Sequence, residues 1–152
     1  MAFTSQSARS QLLDQLAVAV NQLAIALAAL AEAYEELDEQ AAGAVEERLF
    51  RPVQAAYGRA RRTHAEFARR FQLPERTFEA GSAGAHSGDP RVYLERAVEA
   101  IEHADSLVGE LQDSMLPVEF GDRELRDGLT ETRELIAAAP AHGRRLLRMV
   151  GR

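Results

Sequence analysis

The sequence predicts an all-α protein, an up-down-up-down four-helix bundle with long helices and a short basic C-terminal tail. Three observations carry this. Alanine dominates the apolar fraction, 28% of residues are charged, only 6% are aromatic, and Trp and Cys are absent, the A/E/L/R-rich profile of helical bundles. Leu13, Leu16, Val20, Leu23, Leu27, Leu30, Tyr34 and Leu37 alternate three and four apart, as along a heptad seam. No stretch alternates apolar and polar as a strand would, and no repeat of solenoid length recurs. At 152 residues, the chain is the size of one domain, taken as 1–152.

The first helix is expected over residues 5–42. Thr4, Ser5, Ser7 and Ser10 are competent N-caps, and Gly43 offers a left-handed C-terminal position. A second helix follows over 44–72, with Pro52 in its first turns or at a kink. The alternative is a single bent helix through Gly43, because Leu37, Ala41, Val45, Leu49 and Val53 continue at four-residue spacing. Residues 73–89, rich in Gly and Ser and without period, read as a mobile connection. Asp89-Pro90 opens a third helix over 90–116, in the order of cap then first-position proline. Leu94, Ile101, Val108 and Met115 repeat along it every seven residues. Asp122 caps a fourth helix over 122–139, which Pro140 ends or bends. The basic tail is 140–152.

Between Gln15 and Ala31 there are 17 residues without a charge. A spanning helix needs ~20 predominantly apolar residues, and this window holds Asn21, Gln22 and many small alanines. A signal peptide needs a basic start before its apolar run, whereas only Arg9 precedes this one and Asp14 interrupts it. The expectation is a cytoplasmic chain with no transmembrane segment.

From about residue 16 to 31 the helix is nevertheless apolar on its back as well as its seam. Val18 and Ile25 stand farthest from the seam, with Ala28 and Ala29 beside them. A helix of that kind must be covered on both sides. These four residues are therefore assigned to a homo-oligomer contact, and the chain to a non-enzymatic interaction or scaffold protein that self-associates through helix 1. No cofactor is expected.

Charge supplies the alternative. Residues 1–47 carry one Arg against eight acids, and residues 48–76 carry eight Arg against two. A hairpin would lay the acidic end of helix 1 beside the Arg-bearing start of helix 2, where the two pair. Arg48, Arg62, Arg69 and Arg76 fall on one outward column, and Arg144, Arg145 and Arg148 line the tail. Together they are the candidate anion-binding residues, for nucleic acid or acidic lipid. An overall pI near 5.3 and the lack of interleaved aromatics for base stacking weigh against nucleic acid.

Two acidic patterns raise a third function. "EELDE", Glu35 to Glu39, with "EHAD", Glu102 to Asp105, resembles the EExxE and ExxD motifs of all-helical nucleotide pyrophosphohydrolases of the MazG kind. That resemblance implies Mg²⁺ held by carboxylates on facing helices. Here the motifs stand 63 residues apart at their nearest ends, farther than that family places them, and the seam register turns these glutamates outward. A di-iron bundle site would need Glu-x-x-His, which the chain lacks. His64 alone among the histidines falls in a seam, between Tyr57, Ala60, Phe67 and Phe71. It reads as a core-edge residue and the place to look for a pH-sensitive step.

Overall fold

The computed structural model describes residues 4–150, and every regular element among them is helical. In chain order these are α1 Ser5–Glu36, α2 Glu39–Val45, a π-turn Glu46–Phe50, α3 Arg51–Arg70, α4 Pro90–Asp113, α5 Leu116–Glu119, α6 Arg123–Ile136 and α7 Ala139–Val150.

Helix α1 starts where expected, with Thr4 Oγ1 accepting the Ser7 N–H. Its seam is the core: Leu13, Leu16, Val20, Leu23 and Leu30 are buried together with Ala19, Ala26 and Ala33. Each buried Leu or Val contributes about 1.5–3 kcal/mol. The helix ends at Glu36, six residues before the expected boundary. Leu37 and Asp38 turn extended, and Asp38 Oδ1 accepts the Ala41 N–H at 2.8 Å. Among the acids from Glu35 to Glu39, only Asp38 is short enough to cap the next helix. Gly43 therefore lies inside α2, and its expected left-handed stop is not used.

From α2 to α3 the backbone stays right-handed helical. Pro52 has no N–H to give and would press on the carbonyl four residues back. The π-turn just before it relieves both conditions, Arg51 N–H reaching Glu46 C=O five residues back. Helix α3 then ends at Arg70 in a Schellman motif. Gln72 is left-handed at φ 57°, Leu73 N–H bonds Ala68 C=O, Gln72 N–H bonds Arg69 C=O, and Leu73 is buried.

Helix α1 packs against α3 and α4, and α6 packs against the same two helices from the other side. Side-chain pairings fix the directions. Gln6 donates to Phe71 C=O and Arg76 to Asp14, so α3 runs antiparallel to α1. Arg9 donates to Phe120 C=O, while Gln22 and Ile25 face Arg96 and Glu99, so α4 is antiparallel to α1 as well. Arg59 meets Glu131 and Arg70 meets Asp122, which sets α6 antiparallel to α3. The order is thus up, down, down, up rather than the serial alternation expected from the sequence. Two consecutive helices run the same way because the 73–89 connection is long enough to return along α1.

That connection is not a free loop. Gly81 rests so close to the Ala24 and Ile25 backbone that a Cβ there would stand 2.5 Å from Ala24 C. Arg96 of α4 donates to the carbonyls of Ala83 and Ala85 at 2.9 and 2.7 Å, and Ser87 N–H donates to Tyr93 Oη at 2.8 Å. The segment is a strap over the back of α1.

Asp89 and Asp122 cap α4 and α6 as expected, accepting from Arg91 N–H and Leu125 N–H. Helix α4 stops at Asp113, three residues early, and Met115 turns left-handed at φ 71° ahead of Pro117. Pro140 does not begin a loose tail. It lies in the first turn of α7, where a proline is tolerated, and α7 buries Ala139, Gly143 and Leu146. Of the expected tail 140–152, residues 151 and 152 lie outside the described residues.

Candidate anion-binding groove

Helix α7 sits on α4 along one stripe and leaves the next one free. Gly143 approaches Val98 so closely that a Cβ would collide with its methyl, and Arg144 pairs with Glu102. With Ala139, Gly143 and Leu146 turned inward, the neighbouring stripe of His142, Arg145 and Met149 faces α2. Helix α2 and the π-turn offer the matching pattern. Ala42, Val45 and Leu49 are buried, while Ala41, Ala44 and Arg48, three and four residues apart, line the space between.

The result is a groove of about 500 Å³, closed at the sides by Leu37, Asp38, Leu146 and Val150. It exists because two alanines stand on the α2 wall where larger side chains would fill it. The π-turn places Arg48 here. Five-residue hydrogen bonding inserts one extra residue, about 100° of helix rotation, between Arg48 and the rest of α3. Arg48 thereby leaves the column it was expected to share with Arg62 and Arg69.

Among the described residues no carboxylate forms an ion pair with Arg48 or Arg145. Asp38, the one acid on the groove wall, is engaged as a helix cap through Oδ1. His142 lines the same wall, and its buried Nδ1 has no hydrogen-bond partner. Packing rather than hydrogen bonding holds that ring.

The other expected anion-binding residues are placed differently. Arg69 pairs with Glu75 at 3.4 Å and Arg76 with Asp14 at 3.2 Å, Arg76 lying in the strap beyond α3. Arg144 is taken by Glu102. Arg62 is exposed on α3 with its guanidinium over Gly58, and Arg148 is exposed on α7. Among the described residues, no ion pair joins the acidic end of α1 to the basic start of helix 2. The α3 arginines turn instead to α6, Arg59 reaching Glu131 at 2.8 Å and Arg70 reaching Asp122 at 2.6 Å.

The expected oligomer face is covered by the chain itself. Ala29 is fully buried, Ala28 and Ile25 are partly buried, and Ile25 lies beneath Gly81 and Ala83. Only Val18, 45% exposed, is open. By length and composition α1 would pass as a membrane span, and 56% of its most apolar window is buried within the protein.

The MazG-like carboxylates do not converge. The break at Leu37 and Asp38 separates Glu35 and Glu36 from Glu39, while Glu102 and Asp105 are held by Arg144 and Arg133. No three His, Asp or Glu side chains among the described residues are grouped to hold a metal. His64 is buried as expected, at the edge of Phe78.

Compared with protein-family models, with curated proteins and with solved structures, the chain matches none. Function therefore rests on geometry alone. The groove residues that sequence reasoning missed are Leu37, Ala41, Ala44, His142 and Met149. The amphipathic period of 139–150 is the available signal for His142 and Met149, and it does not say which element the helix packs on.

Proposed function

We propose that the protein is a non-enzymatic helical-bundle interaction module that binds an anionic group in the groove between α2 and α7. One observation carries this reading: Arg48 and Arg145, from distant parts of the chain, line the same groove, and among the described residues neither has an acidic partner. A guanidinium is weakly hydrated and forks onto oxyanions.

The reading narrows the seven candidate arginines to two. It is tested by retention on an anionic matrix at low ionic strength. Arg48→Ala with Arg145→Ala releases the protein, whereas Arg69→Ala with Arg76→Ala does not. Equal loss from both pairs would reduce the effect to general surface charge and overturn the groove assignment.

A further inference from the structure

We infer that the occupant of this groove is a single-chain amphipathic carboxylate, one molecule of the fatty-acid type. This deepens the anion-binding reading and rests on it. The groove's volume of about 500 Å³ lies in the ordinary range of small-molecule sites.

Charge decides next. Arg48 and Arg145 against Asp38 leave one positive charge on the wall, which a monoanion neutralises. A doubly charged phosphate monoester would leave an excess negative charge there. The apolar remainder decides last. Leu37, Leu146 and Met149, with two alanines opposite, offer aliphatic surface, and beyond the arginines, Asp38 and His142 the one polar side chain on the lining is Gln40. Gly143 lies 3.8 Å from Leu49 Cδ2 as measured from its Cβ position. Their chain neighbours His142 and Arg48 therefore share one level of the groove, where the carboxylate would sit, leaving the aliphatic walls for the chain.

The test is calorimetric titration of sodium dodecanoate, below its micelle concentration, into the full-length protein. One-to-one binding is expected, weakened about tenfold or more in Arg48→Ala/Arg145→Ala, as for loss of charge-assisted hydrogen bonds. Ala44→Phe, which fills the groove and keeps both arginines, abolishes it; circular dichroism confirms that each variant is folded. Dodecyltrimethylammonium and acetate, which keep the chain or the charge alone, do not bind. Equal affinity for dodecyl phosphate overturns the carboxylate assignment. If dodecanoate fails while acidic vesicles or an acidic peptide bind through Arg48 and Arg145, the amphiphile falls and the anion-binding reading stands. If none of them binds, both fall.

Discussion

Phe78 stands edge-on to His64, ring centroids 5.2 Å apart and planes at 88°, so the strap's only aromatic side chain is seated on the one fully enclosed histidine. Burial lowers the His64 pKa, helped by the nearby Arg76 and opposed by the Leu13 carbonyl and Asp14. Its Nδ1 has no hydrogen-bond partner. A proton on Nδ1 would be buried without an acceptor, on a ring that faces a guanidinium.

The sign of the pH effect follows from that depression. Above the ordinary value of 6.5 both folded and unfolded chains carry neutral His64, and its contribution is complete. As pH falls below 6.5 the unfolded chain takes up the proton first, and stability drops by at most about 1.4 kcal/mol per pH unit until the folded histidine titrates. Denaturant midpoints measured from pH 7.5 to 5 should fall in wild type and flatten in His64→Gln. An unchanged slope in the variant would remove His64 from the effect.

Asp122 titrates in a separate, lower window. Desolvation raises its pKa, but hydrogen bonds from Arg70 and the Leu125 N–H, with the charges of Arg70 and Arg126, outweigh it and hold the carboxyl below 3.8. Its contribution is therefore present above about pH 4 and lost as pH falls through the folded value. Asp122→Ala removes a cap and a two-pronged ion pair and should cost about 1–2 kcal/mol at pH 7 by urea unfolding. A loss under about 0.3 kcal/mol would contradict both roles.

The strap depends on the absence of a side chain at Gly81. Gly81→Val places carbon against the Ala24 backbone, which cannot retreat within a packed helix, so the strap must lift at a cost of about 1–3 kcal/mol. Proteolysis within residues 76–86 should accelerate while α3 and α6 stay protected. Wild-type proteolysis rates would show that the strap does not need this contact.

Covering of α1 by its own chain makes two substitutions on the same face behave differently. Ile25→Glu drives a charge under the strap and should destabilise the fold by several tenths to about 3 kcal/mol. Val18→Glu, on the open part of the face, should leave stability within about 0.5 kcal/mol. Neither should change the sedimentation coefficient. A shift in assembly state on Val18→Glu would restore this face as a contact between copies.

Periodicity made the helical class, the α1 seam and the Asp89 and Asp122 starts legible, because each is a local signal: heptad spacing, or an Asp preceding a helix former. What stayed hidden was set by tertiary structure. Gly43 and Asp38 are both respectable boundary residues, and only the packing of Val45 and Leu49 into the core selects Asp38. Composition marks 73–89 as irregular but does not say that Gly81 fits against α1 and Arg96 ties down two carbonyls. The π-turn ahead of Pro52 is a response to strain, and its rotation of Arg48 into the groove breaks the seven-residue column on which the arginines were grouped. Pairing Arg48 with Arg145 required knowing that 139–150 folds back as a helix on α4.

The central claim is that Arg48 and Arg145 form one site, and amide chemical-shift mapping on the ¹⁵N-labelled protein during a dodecanoate titration tests it most directly. Shifts confined to residues 37–49 and 142–150, saturating together at one equivalent, are the expected result. Shifts spread over the exposed arginines of α3, or confined to one wall and unsaturated at excess ligand, would contradict it.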